Sequence, residues 1–75
     1  MTYGEKAVGL SFNPSGDGAV DKIKKLYANI IDHCDEARTA SATSERKRLF
    51  SVAITEAQAA QMWAVKAVTW KDVND

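Results

Sequence analysis

Apolar residues recur along two stretches of this chain at the spacing of a helix face. Val20, Ile23, Tyr27, Ile30, Cys34 and Ala37 follow one another at intervals of 3, 4, 3, 4 and 3, which lines them up as one continuous helical stripe. Phe50, Ala53, Ala57, Ala60, Ala64 and Ala67 repeat those intervals. Being mostly alanine, they form a narrow seam that lets another helix approach closely. Between the two, Thr39-Ala40-Ser41-Ala42-Thr43-Ser44 breaks the period with small and polar residues suited to capping the next helix. The pattern predicts helices over residues 18–38 and 43–70, the first capped by Asp17 or Ser15, the second free of Gly and Pro from Glu45 to Val68. A short connection favours antiparallel neighbours.

Residues 1–18 carry no such period. They are Gly-rich and end in Phe12-Asn13-Pro14-Ser15-Gly16-Asp17-Gly18, a cluster of turn formers expected to make an ordered arm or loop. Lys71-Asp72-Val73-Asn74-Asp75 reads as a frayed tail. The fold class expected is all-α: an N-terminal arm followed by an antiparallel two-helix hairpin, one domain over residues 1–75.

Two stripes do not exhaust the apolar surface. Leu49, Val52, Ala59, Trp63 and Trp70 occupy a second side of the later helix, Ile54, Val65 and Val68 a third, and Leu26 and Ile31 lie off the stripe of the earlier one. Ala19, Ala28 and Ala37 would permit close approach there. A hairpin has one inside, and a helix that is apolar around most of its circumference is buried around most of it. The spare sides are therefore expected to face other copies, giving a homo-oligomeric helical bundle. Enclosing an aromatic side chain removes about 150–250 Å² from water. At roughly 25 cal/mol per Å² the two tryptophans would contribute several kcal/mol, on the scale of a small domain's whole stability.

Composition narrows the chemistry. The 75 residues include one Cys, which excludes a disulfide framework, and Cys34 with His33 is too small a ligand set for zinc. Ten basic and ten acidic residues cancel, which argues against coating a DNA or RNA backbone but leaves localised anion binding open. No stretch approaches the roughly 18 apolar residues of a membrane helix, and no basic-then-apolar leader is visible, so a cytoplasmic location is expected.

Few residues suggest catalysis. His33 has no Ser, Cys or carboxylate pair at an activating spacing, and Cys34 sits on the apolar stripe as a small hydrophobe. Asp32, His33, Asp35 and Glu36 read as a solvated helix end rather than a metal site. Lys22, Lys24 and Lys25 cluster directly after the Phe12–Gly18 loop. They are either a solvated face offset by Asp21 or a phosphate site, with Asn13, Ser15 and Gly16 supplying polar groups and Phe12 a stacking surface. Arg46, Lys47 and Arg48 open the later helix, where cations oppose the helix dipole. Arg48 and Thr55 lie two turns apart on nearly one face. Around a rotation axis that face would surround an anion; otherwise Arg48 pairs with an acid of the earlier helix.

Val8-Gly9-Leu10-Ser11-Phe12-Asn13-Pro14-Ser15-Gly16, Val20-Asp21-Lys22-Ile23-Lys24, Arg48-Leu49-Phe50, Ala53-Ile54-Thr55 and Gln61-Met62-Trp63-Ala64-Val65-Lys66-Ala67 together resemble the phage anti-CBASS type 2 family, whose helical hairpin is shared with a group of Thoeris anti-defence proteins. The resemblance covers roughly residues 8–68. It implies a small hexameric sponge that sequesters cyclic oligonucleotide second messengers and breaks no bond. Carried over by position, it implies that Phe12 stacks on a cyclic dinucleotide and Lys24 meets its phosphate, with Asn13 and Ser15 shaping the loop. Better-studied members have Tyr at the position of Phe12, and Tyr3 is the alternative aromatic. Arg48 and Thr55 are the corresponding candidates for a cyclic trinucleotide around a threefold axis. Two other readings compete. A helical oligomer that binds another protein would leave Phe12 and Lys24 replaceable, while a phosphodiesterase would need a metal cluster or a general base pair that the chain does not display.

Overall fold

The computed structural model describes residues 1–72 and is helical, with no strand among the described residues. Three helices follow in order: α1 (Tyr3–Val8), α2 (Gly18–Ala40) and α3 (Ser44–Val68). The tail expected over residues 71–75 lies outside the described residues from residue 73 onward.

Local chemistry sets each boundary. Asp17 caps α2 by accepting the Ala19 N–H at 2.8 Å, and Thr43 caps α3 by accepting the Arg46 N–H at 3.2 Å. In the stretch expected to be an arm, Thr2 and Glu5 form a reciprocal capping box: the Glu5 N–H donates to Thr2 Oγ1 at 3.1 Å, and the Thr2 N–H to Glu5 Oε1 at 2.8 Å. Gly9, at φ 64°, closes this short helix in the left-handed conformation that glycine adopts without strain. A helix of six residues is too short to display an apolar period, and the turn formers that follow it in residues 9–18 conceal it in the sequence pattern.

α2 and α3 pack as a hairpin and α1 lies across α2. Val8, Ala28, Ile31 and Ile54 form the core, with Ala7, Leu10, Tyr27, Cys34 and Ala57 packed around it. This differs from the expected stripes by a fraction of a turn. The residues α2 buries are Val20, Lys24, Ala28 and Ile31, so Ile31, expected to face other copies, is fully enclosed within its own chain. Ile30, on the expected stripe, is half exposed. On α3 the buried residues are Ile54 and Gln61, whereas Ala53, Ala60 and Ala67 of the expected seam are exposed.

The cause is α1, which covers a second side of α2 and turns the helix's buried face toward itself. Gly4 sits so close to α2 that a Cβ there would overlap the Ala28 carbonyl oxygen, and the Gly4 N–H donates to Asp32 Oδ1 at 2.7 Å. Arg38 ties the other end together, donating to Asp35 at 2.7 Å and to Ser51 of α3 at 3.0 Å while stacking 5.6 Å from the Tyr3 ring.

The resulting body measures 52 × 27 × 13 Å, with a radius of gyration of 14.4 Å. A compact chain of this length would have about 11 Å, and 13 Å is barely one helix thick. Such a slab cannot enclose large residues on both faces. Leu26, Leu49, Val52, Met62, Trp63 (70%) and Trp70 (59%) are all exposed.

Candidate ligand cleft at the loop between the first two helices

The segment joining α1 to α2 is held by its own polar groups. Asn13-Pro14-Ser15-Gly16 is a β-turn closed by the Gly16 N–H donating to the Asn13 carbonyl at 3.2 Å, with proline at the second position where its fixed φ fits. The Asn13 amide donates to the Asp17 carbonyl at 3.0 Å and to Asp21 Oδ1 at 3.1 Å. The Ser15 hydroxyl donates to Asn13 Oδ1 at 2.7 Å and accepts the Asp17 N–H at 3.1 Å. Asn13 and Ser15 thus spend their polar atoms on the shape of the loop.

That shape leaves the Phe12 side chain out in solvent, 71% exposed, above Lys24. Lys24 is only 5% exposed, its aliphatic stem enclosed between helices. Its ammonium donates to the Gly9 carbonyl at 2.9 Å and to the Phe12 carbonyl, and lies 5.7 Å from the Phe12 ring centroid. Of its three N–H donors, two hold the loop and the third is left over.

No carboxylate pairs with this ammonium among the described residues. Asp17 is occupied with the Ala19 N–H and Asp21 with the Asn13 amide. A buried cation neutralised only by carbonyl dipoles keeps its positive field. Lys22 and Lys25 are exposed, and Lys25 lines a different cleft with Thr2, Glu5, Ala28, Asn29 and Asp32. Of the lysine cluster, Lys24 alone enters the loop cleft.

The cleft holds about 250 Å³ and is lined by Phe12, Asn13, Pro14, Ser15, Val20, Lys24, Val65 and Thr69. All four residues singled out for a dinucleotide therefore meet around one space. Val65 and Thr69 come from the far end of α3 and were not expected there. The hairpin register, which sets Ile31 beside Ile54 and so Val20 near Val65, is the signal that would have found them. Tyr3 is on another part of the surface, beside Arg38.

Within one chain Arg48 and Thr55 engage different partners. The Arg48 guanidinium forks onto Glu45 of its own helix, at 2.7 and 2.8 Å, not onto an acid of the other helix as one sequence reading had it. This pairing holds the Glu45 carboxyl below its ordinary range and raises Arg48. It also offsets the three cations at the start of α3. The Thr55 hydroxyl donates to the Ser51 carbonyl at 3.2 Å, and Thr55 lines a separate cleft with Ala7 and Gln61.

His33 and Glu36 make a loose exposed pair at 3.9 Å. Among the described residues no three His, Cys, Asp or Glu side chains converge as metal ligands. Among those same residues no helix is long and apolar enough to cross a membrane.

Residues 5–69 match the family described as Acb2/Tad1, hairpin domain. The chain belongs to this family. No curated protein and no solved structure matches it. The Acb2/Tad1 match spans all of α2 and α3, most of α1 and the whole loop that carries Phe12. Membership points in general terms to an anti-defence sponge, a binder rather than an enzyme.

Proposed function

We propose that this protein sequesters cyclic dinucleotide second messengers in the Phe12–Lys24 cleft, completed by a neighbouring copy of the chain, and thereby silences CBASS-type immune signalling in the host bacterial cytoplasm without cleaving the ligand. The observation that carries this reading is the buried Lys24 side chain, its ammonium uncompensated by any acid among the described residues and covered by an exposed aromatic ring. A phosphate would take the spare N–H and the field, and a base would take the ring face.

Energetics favour a shared site. Ligand clefts usually enclose about 300–1,000 Å³, so 250 Å³ is room for part of a two-base ligand. Stacking gives about 1–3 kcal/mol per base, and nanomolar capture requires about 12 kcal/mol. Two chains closing on the two halves of one ligand reach that figure more readily than one, because a cyclic ligand has little conformational freedom to lose. The exposed apolar faces of the slab supply the contacts between copies, and the resemblance to anti-CBASS type 2 proteins suggests a hexamer. Arg48 and Thr55, separate in one chain, would meet across a threefold axis to hold cyclic trinucleotides.

The same apolar faces favour a second reading, a helical oligomer that docks on another protein without a small ligand. Calorimetric titration with cyclic dinucleotides separates the two. The sponge reading predicts saturable heat that Lys24→Ala and Phe12→Ala each weaken while the oligomer persists. Wild-type affinity in both variants would refute the site.

A further inference from the structure

A second cleft shares no residue with the first. It lies between α1 and α3, encloses about 330 Å³, and is lined by Ala7, Thr55, Gln58, Ala59, Gln61 and Met62. None of these side chains is charged. Gln61 is the anomaly in it: only 5% exposed, its carboxamide makes no hydrogen bond to any described residue. Among those residues no fully enclosed side-chain nitrogen or oxygen lacks a partner, so what little surface Gln61 keeps includes its amide, and the residue lines this cleft. A carboxamide held this deep loses much of its hydration, and a ligand that matched both its donor and its acceptor would recover the difference.

The surrounding groups define that ligand. Gln58 donates one N–H to the Ala7 carbonyl at 3.3 Å and keeps its second N–H as a donor and its oxygen as an acceptor. Thr55 has spent its proton on Ser51 and offers lone pairs. Ala7, Ala59 and the thioether of Met62 supply apolar walls, methionine adapting readily to a flat ring. The cleft therefore presents the side-by-side donor and acceptor of Gln61, a further donor and acceptor on Gln58, the lone pairs of Thr55, and no cation.

This pattern fits the edge of adenine, whose N7 accepts and whose amino group donates two protons. The glutamine carboxamide pairs with the two atoms at once, and the second amino proton meets the Gln58 oxygen. A 6-oxo purine puts an acceptor where the amino group stood, so two acceptors face the one donor and one acceptor of the Gln61 carboxamide and its oxygen is left opposite a lone pair. We propose that this neutral cleft is an adenine-reading site, distinct from the phosphate-holding Phe12–Lys24 cleft and independent of it.

Titration of the full-length oligomer with adenosine, an uncharged nucleoside, tests this by following the Gln58 and Gln61 side-chain amides and the Ala7 and Met62 backbone amides in ¹H–¹⁵N spectra. The expected result is saturable shifts at these groups, unchanged in Lys24→Ala, at least about tenfold weaker with inosine, and lost in Gln61→Leu with the fold retained. Equal response to inosine, or no shift with adenosine at its solubility limit, overturns the proposal on the wild-type protein alone. Dissociation of the oligomer by Gln61→Leu would overturn it too, by assigning the amide to a contact between copies.

Discussion

Lys24 has two employments that a sequence cannot separate. Its position invites a phosphate contact, and its ammonium also ties down the Gly9 and Phe12 carbonyls, so it sets where the stacking ring stands before any ligand arrives. Hydrogen bonds from a charged donor contribute about 1.5–3 kcal/mol. Lys24→Met, close in shape but neutral, should therefore speed amide exchange in the loop about tenfold in the free protein, as hydrogen-exchange mass spectrometry would read. The same variant should weaken dinucleotide capture by about ten- to a hundredfold. Unchanged loop protection would mean that Lys24 meets only the ligand. Phe12→Ala should lose about 1–3 kcal/mol of binding per stacked base with the melting temperature intact, because the ring is exposed. Gly4 is the opposite case, with no ligand role and no spare room against the Ala28 carbonyl. Gly4→Ala should cost about 3 kcal/mol, the upper range for forcing atoms into a packed site, measurable by urea denaturation; a loss under 0.5 kcal/mol would show that α1 is free to lift.

At the scale of elements, the hairpin was legible and the short helix was not. The 3–4 alternation and the small polar break at residues 39–44 place α2 and α3 to within about two residues of their observed ends. The helical phase is less legible, because the faces that pack inward include Lys24 and Gln61, which an apolar period omits. The signal for α1 was the Thr2–Glu5 capping pair, visible in principle but overshadowed by nearby glycines. For the site, the motif between Phe12 and Gly16 marked the loop, whereas Val65 and Thr69 needed the hairpin's register. Capping should carry its usual weight: Thr43→Ala is expected to cost about 1 kcal/mol in thermal unfolding. The Arg48–Glu45 fork is exposed and adds little. Because Arg48 lowers the Glu45 carboxyl, that small contribution is present above the ordinary carboxylate range and fades as pH falls through the lowered value. Arg48→Ala should flatten the stability–pH curve there and leave neutral-pH stability almost unchanged.

At the scale of the molecule, thickness decides. A slab 13 Å deep has no interior for Leu49, Trp63 and Trp70, and an apolar surface this rich is rarely left to water. The chain should sediment as an oligomer at micromolar concentration, and Trp63→Lys should shift it toward single chains. Capture depends on that assembly if each ligand spans two chains. The most direct test is calorimetric titration of the oligomer with cyclic dinucleotides, followed by mass spectrometry of the ligand released on heating. The account predicts saturation at one ligand per two chains and recovery of the intact ring. Absence of binding across all base combinations at high micromolar ligand, or recovery of a linear product, would contradict it.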